Sequence, residues 1–467
     1  MKSIFLTLGS VVALSIAAAC AVADDSADMQ ACAKKSMAGD HRFARQVMGA
    51  NTLFFSENDR IRAEPHYRPN MASEGFGALR FPGGVVADNY HWAAGKTDNP
   101  RRRPQGHAGS DNDLSFDEFI ALSKTLNAEP TVVLNYLSWV EKNRFDGALQ
   151  EASSWVKYAN IEKAYGVKYW ELGNEVYAYL PAEHATVQAR VYAQHYKAMK
   201  KALRAIDATV QLGAAMPQKL GLVAKVDHSP WWDSFLSEVG ADLDYIVLHD
   251  YPPLTVNDYV SGGTGFPELL QNARAIVKAK LGHEVPFHIT EWNIALWDKG
   301  DKRNLLERDS VWQGLFVAES LLDFSTGGVR LATFWPLRSK EGAGLFSNDT
   351  RRYFAGGQVF KLLAPYQDSP IRYDCHTKTL RMTRIDGNGK TDGGALVVIN
   401  RGVAQHIDIP AILAGNVRIT GLSTLTADAG GYTAKAYSEG EFKALSEKSA
   451  GSYLFPMGAL FIFKLGQ

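Results

Sequence analysis

Between Val47 and Leu363 the chain alternates two patterns: short apolar runs, and longer stretches in which apolar residues recur every three or four positions. The second pattern is clearest at Tyr192, Tyr196, Met199, Leu203 and Ile206, whose spacing places all five on one face of a helix. Val311, Leu315, Ala318 and Leu322 repeat the arrangement. Between such helices lie eight runs that read as strands: Gly49–Phe54, Ala78–Phe81, Thr131–Asn135, Lys168–Leu172, Val210–Ala214, Tyr245–Leu248, Pro286–Thr290 and Val329–Phe334. Some are apolar throughout, as strands covered on both faces by helices tend to be. Strands alternating with helices predict an α/β fold, and eight units of roughly 40 residues predict a (β/α)8 TIM barrel with loop insertions. A doubly wound open sheet is the competing architecture, but no G-x-G-x-x-G or G-x-x-x-x-G-K-[ST] loop follows an early strand.

Around Pro365 to Pro370 the pattern changes to short alternating runs such as Ala395–Ile399, Val417–Thr420 and Ala459–Phe463. Glycine-rich turns separate them, including Asp386-Gly387-Asn388-Gly389 and Asp428-Ala429-Gly430-Gly431, and no helical period interrupts them. The expectation is a C-terminal β-sandwich domain, with a strand possible from the segment before Val47. The predicted division is therefore a signal peptide over 1–23, an N-terminal segment over 24–46, a catalytic barrel over 47–365 and a β-sandwich over 366–467.

The signal peptide rests on Lys2, the apolar run from Ile4 to Ala19 and the A-x-A site Ala21-Val22-Ala23 before Asp24. A lipoprotein signal at Ala17-Ala18-Ala19-Cys20, anchoring the chain through Cys20, is the competing reading. Either way the protein is expected to be exported, to the periplasm or beyond. No later stretch approaches the ~20 apolar residues of a membrane span. Export makes a disulfide between Cys32 and Cys375 one possibility, and two separate buried thiols the other. Fifty basic side chains balance fifty acidic ones, so no overall field draws the chain to nucleic acid.

In a (β/α)8 barrel the active site lies at the C-terminal ends of the strands, so polar residues just after apolar runs are the ones to interrogate. The fourth strand leads into Gly173-Asn174-Glu175, and the seventh into Glu291-Trp292-Asn293. These glutamates are 116 residues apart, close to three repeats, which puts them on one rim. Two facing carboxylates are what glycosidic hydrolysis needs, one protonated to assist the leaving oxygen and one ionised. Other polar or aromatic residues at strand ends are Asn135, His249, Tyr251 and Trp335, the last suited to stacking on a sugar, with Trp92 and Trp297 as weaker candidates. Each has a plain packing alternative. The run Arg101-Arg102-Arg103 suits an acidic or sulfated sugar, or simply a solvated loop.

Leu79-Arg80-Phe81-Pro82-Gly83-Gly84, Asn89-Tyr90-His91-Trp92, Asp117-Glu118-Phe119, Glu129-Pro130, Tyr165 through Glu175, and Glu291-Trp292-Asn293 occur in the order found in clan A retaining glycoside hydrolases. The ordered set most resembles the family 51 α-L-arabinofuranosidases. That resemblance implies Glu175 as acid/base, Glu291 as nucleophile, Asn174 on the hydroxyl beside the reacting carbon and Arg80 beneath the nucleophile. It also implies substrate contacts for His249 and Tyr251. The two glutamates need opposite tuning, Glu175 pushed upward and Glu291 downward. Departures from the family pattern are Val176-Tyr177-Ala178 after the Asn-Glu, Thr290 in place of an aspartate, and a short C-terminal domain. They touch the sugar pocket, so xylosides, glucuronides and β-glucans compete with arabinofuranosides as substrates.

A barrel metallohydrolase would want clustered histidines such as H-x-H on an early strand, and none of the twelve is so arranged. A serine hydrolase would want G-x-S-x-G, which is absent. A carbohydrate-binding barrel that has lost its chemistry is the non-enzyme alternative, although both carboxylates remain. The two-carboxylate mechanism implies no metal and no organic cofactor, only a carbohydrate partner.

Overall fold

The computed structural model describes residues 26–35, 37, 39–98, 112–179, 184–218, 228–295, 305–389, 393–413, 417–429, 431–449 and 452–466. The export signal with Cys20, the Arg101-Arg102-Arg103 run and Trp297 lie outside the described residues.

Eight parallel strands close into a barrel: β1 (Gly49–Asn51), β2 (Ala78–Phe81), β3 (Glu129–Leu134), β4 (Tyr169–Leu172), β5 (Gln211–Ala215), β6 (Tyr245–Asp250), β7 (Phe287–Trp292) and β8 (Leu331–Phe334). Each falls on one of the eight runs expected from sequence. The helix Ala185–Ile206 buries Tyr192, Tyr196, Met199 and Leu203 against the barrel, with Ile206 half-buried at its end. Val311–Thr326 is buried almost all round, because the C-terminal domain covers the side that the barrel does not.

Inside the barrel the side chains stack in layers. The lower layer is Tyr169, Tyr245 and His288, with Ala78 and Leu331. Gly213 makes room for it, since a Cβ there would come within 2.3 Å of the Tyr245 ring. Above lie Asn51, Arg80, Glu171, Thr290 and Thr333, two residues further along their strands and all fully buried. An apolar floor thus supports a charged layer, which opens onto the rim where the strands end.

The C-terminal region adds β9 (Ser369–His376), β10 (Leu380–Ile385), β11 (Ala395–Asn400), β12 (Ile419–Asp428), β13 (Gly431–Ala436) and β14 (Ala459–Leu465). They form an antiparallel sheet ordered β9-β10-β11-β14-β12-β13, extended beyond β9 by the short strand Arg42–Phe43. A two-stranded ladder of Gln405–Asp408 and Ser452–Phe455 covers one face, completing a β-sandwich around Leu380, Leu396, Phe455 and Phe463. A disulfide joins Cys32 of the helix Ser26–Ala33 to Cys375 of β9. The expectation of a helix-free C-terminal region is corrected: Ile409–Ile412 and Glu439–Ser449 are helical. In the second, Ser438 Oγ accepts from Glu441 N–H while Glu441 returns a bond to Ser438 N–H, a capping box. Among its described side chains Phe442 and Leu445 face the core, too few to show a helical period in the sequence.

Candidate active site

Arg80, at the end of β2, organises the site. Its Nε donates to Glu171 Oε2 at 2.8 Å, Nη1 to Glu291 Oε1 at 2.8 Å and to Asn51 Oδ1 at 3.0 Å, and Nη2 to Asn174 Oδ1 at 3.0 Å. Burial opposes its charge, but the two carboxylates outweigh that and raise its pKa further. Because the guanidinium takes the Asn174 oxygen, the amide is oriented with Nδ2 free. That nitrogen is buried and has no hydrogen-bond partner among the described residues. It is a buried donor that the described residues leave unmatched.

Two local distortions bring the glutamates together. On β7 the register against both β6 and β8 shifts just after Ile289. In regular alternation Thr290 and Glu291 would point to opposite faces. The bulge lets Thr290 Oγ1 reach His249 Nε2 at 3.1 Å while Glu291 still reaches Arg80. Beyond β4 the chain turns through Gly173 at φ 73°, and Glu175 itself adopts a left-handed φ of 44°. For a residue with a Cβ that conformation costs energy and needs firm surroundings. Asp88 provides part of them by accepting from the Asn174 N–H at 3.0 Å.

One carboxylate oxygen of Glu175, one of Glu291 and a nitrogen of His249 lie within 4.8 Å of one another. His249 Nδ1 is 3.0 Å from Glu175 Oε1 and 3.8 Å from Glu291 Oε2. The Tyr251 hydroxyl donates to Glu291 Oε2 at 2.7 Å. Both oxygens of Glu291 are therefore already engaged, one by a guanidinium and one by a phenol. Glu291 is almost buried, whereas Glu175 keeps 28% of its side chain exposed.

The expected upward tuning of Glu175 is corrected. Burial pushes its pKa up, but the hydrogen bond and charge of His249, helped by Arg80, outweigh burial and hold it below the ordinary carboxylate value.

The remaining candidates separate. Trp335 follows β8, half-buried, with its ring over Gly84; a Cβ at Gly84 would come within 2.4 Å of the indole. Asn135 closes β3 but bonds Glu151 and Ser138 rather than the glutamates. Trp92 stacks on Trp155 at 6.0 Å, away from the carboxylate pair's own contacts. Glu151 also accepts from Trp139 Nε1 at 2.6 Å and pairs with His91 Nδ1 at 2.9 Å, tying the loops after β2 and β3 together. Sequence reasoning missed Glu171, Asn51 and Asp88. The charge of Glu171 within an otherwise apolar strand was the available signal, since a buried carboxylate demands a partner.

The fold is a closed (β/α)8 barrel with paired carboxylates at the ends of its fourth and seventh strands. Residues 71–238 match the model of the alpha-L-arabinofuranosidase 1 domain. A probable alpha-L-arabinofuranosidase C of Aspergillus fumigatus is 31% identical over 334 residues, covering 56% of this chain and 61% of that one. An intracellular exo-alpha-L-arabinofuranosidase of Bacteroides ovatus is 24% identical over 355 residues, 66% of this chain and 65% of its own. The chain thus spans less than two thirds of these relatives' length. Among solved structures, alpha-L-arabinofuranosidase from Thermotoga maritima superimposes with a TM-score of 0.64 at 18% identity, over 92% of this chain and 98% of that one. A family 44 xyloglucanase of Paenibacillus polymyxa gives 0.57 at 13% identity, over 92% and 97%. The chain is a (β/α)8 barrel with a C-terminal β-sandwich, similar in sequence and in fold to α-L-arabinofuranosidases.

Proposed function

We propose that the protein is a retaining glycoside hydrolase that releases α-L-arabinofuranosyl residues from plant-type polysaccharide or oligosaccharide outside the cytoplasm. The observation that carries this reading is the separation of the two carboxylates, whose nearest oxygens fall within 4.8 Å. Retaining enzymes hold the pair at about 5–5.5 Å, while inverting ones leave ~6.5–9.5 Å for a water.

In the first step an oxygen of Glu291 attacks the anomeric carbon, and the bond to the leaving oxygen breaks as Glu175 gives that oxygen its proton. Arg80 and Tyr251 hold the two oxygens of Glu291 in position for attack. Glu175 must be protonated for this step, against the pull of His249 and Arg80, which hold its pKa below the ordinary carboxylate value. A sugar covering its exposed edge removes water and strengthens the burial effect that already pushes its pKa upward. Once the glycosyl-enzyme forms, Glu291 has lost its charge, which favours ionised Glu175. In the second step Glu175 takes a proton from water, the water oxygen bonds the anomeric carbon and Glu291 leaves, so configuration is retained. Asn174 Nδ2 donates to the hydroxyl next to the reacting carbon, and Trp335 provides an apolar platform.

The test is a panel of aryl furanosides and pyranosides with the first-formed anomer read by NMR. Turnover of the α-L-arabinofuranoside with the retained anomer appearing first is expected. Early appearance of the inverted anomer contradicts the mechanism, and preference for a pyranoside contradicts the substrate.

A further inference from the structure

Asn293, two positions beyond Glu291, donates through Nδ2 to the carbonyl oxygens of Trp335 and Ala343, at 2.7 Å each. One buried amide thus fixes the backbone at the exit of β8 and the loop that follows it. Its Oδ1 accepts from Gln313 Nε2 at 3.2 Å, and Gln313 Oε1 accepts from the Asp309 N–H at 2.7 Å. Asp309 holds a left-handed φ of 49°, a conformation that persists only when surrounding contacts enforce it. Its Oδ1 accepts from Ala355 N–H at 3.0 Å and from the Tyr432 hydroxyl at 2.7 Å, and its Oδ2 pairs with Arg352. Tyr432 belongs to β13 of the sandwich. A cleft of about 490 Å³ lined by Asp309, Arg352, Tyr353 and Tyr432 runs along this seam. The hydroxyl therefore reaches Asp309 beside an open joint.

We propose that Tyr432 is a positioning residue for the sugar site: acting through Asp309, Gln313 and Asn293, it fixes the backbone of Trp335 and hence the placement of the indole platform. The inference rests on Trp335 being that platform, and it gives the sandwich a part in substrate binding. Glu175 and Glu291 are held separately, by Arg80, His249 and Tyr251, so loss of the hydroxyl acts on binding rather than on the chemical step.

Tyr432→Phe, Trp335→Ala and the double variant, made in the full chain, test it on an aryl α-L-arabinofuranoside. Tyr432→Phe is expected to raise KM about fivefold, the scale of one lost hydrogen bond, with kcat changed less than about twofold. Trp335→Ala is expected to raise KM further, and the double variant to match Trp335→Ala alone, because coupled residues are not additive. Multiplying effects, or a silent Tyr432→Phe beside a damaging Trp335→Ala, overturn the inference while leaving the platform intact. A silent Trp335→Ala overturns the platform and the inference with it. A readout independent of turnover is the 5-fluorotryptophan resonance assigned by its loss in Trp335→Phe: Tyr432→Phe should shift or broaden that line, and an unmoved line counts against the relay.

Discussion

Two buried arginines in this molecule each bridge two carboxylates, and they serve different ends. Arg80 joins Glu171 and Glu291 at the barrel mouth, at 2.8 Å each. Arg381 of β10 joins Asp323 of the barrel helix Val311–Thr326 at 2.6 Å to Asp374 of β9 at 2.8 Å, across the seam between barrel and sandwich. Around Arg381 the arrangement is closed: Thr383 donates to Asp374 and Thr264 to Asp323, and no buried polar atom of the three charged residues lacks a partner among the described residues. Burial works to raise the Asp374 pKa, but Arg381 outweighs it and holds the carboxyl far below its ordinary value. Around Arg80 the arrangement is open: Asn174 Nδ2 and Glu171 Oε1 are buried without partners among the described residues, and Glu175 meets solvent. A buried ion triad is thus not in itself a sign of function. Polar atoms left unmatched beside one are, because a protein tolerates their cost where a ligand will complete them.

The largest effect that tests this contrast is Glu291→Gln. It should lower kcat by at least about 10⁴-fold in steady-state assays while thermal unfolding stays cooperative, since a group acting as nucleophile is not replaced by its neighbours. Near-normal turnover would return the mouth triad to the structural class. Arg381→Met should do the reverse. Removing the shared cation, which leaves His376 beside Asp374, is expected to cost about 3–5 kcal/mol in urea unfolding, with kcat/KM nearly unchanged where the protein stays folded. A folded but inactive Arg381→Met would erase the distinction.

Gly84→Ala probes the open side of the mouth. With Gly84 at a φ of 54° and its Cβ direction blocked by Trp335, the variant should displace the indole and raise KM about tenfold. An unchanged KM would remove Trp335 from sugar binding. The smallest effect concerns His91, whose pKa is raised to about 9 by its hydrogen bond to Glu151, with a further contribution from Asp98. Since the folded value lies above the ordinary one, the stabilisation is fully present below about pH 6.5 and is lost as pH rises through about 9. After solvent screening it should amount to about 1 kcal/mol in urea unfolding followed against pH. His91→Gln should flatten that part of the profile, and a variant with the same slope as wild type would assign the slope to another group.

Much of this was legible beforehand in particular residues. Glu175 and Glu291 sit at strand ends three repeats apart, and a barrel has only one rim at which the C-terminal ends of its strands meet. Arg80 follows an apolar run, and its place beside the nucleophile came from the family resemblance. Thr290 and Glu171 were opaque as site residues, because contact between them and the site depends on a bulge and on which strand face points inward. Glu175 was mistuned in the sequence reading for a similar reason. Its pKa turns on a 3.0 Å approach by His249, from a strand 74 residues further along the chain.

Hydrophobic period and residue identity were enough to determine the barrel, its eight strands and the two acids at its mouth, because these follow from local spacing repeated along the chain. Tertiary structure alone decided which donors face those acids, how the disulfide and the capped C-terminal helix complete the sandwich, and how Tyr432 reaches Asp309. Such features depend on the distance and direction of groups far apart in sequence, fixed only when the chain has closed on itself.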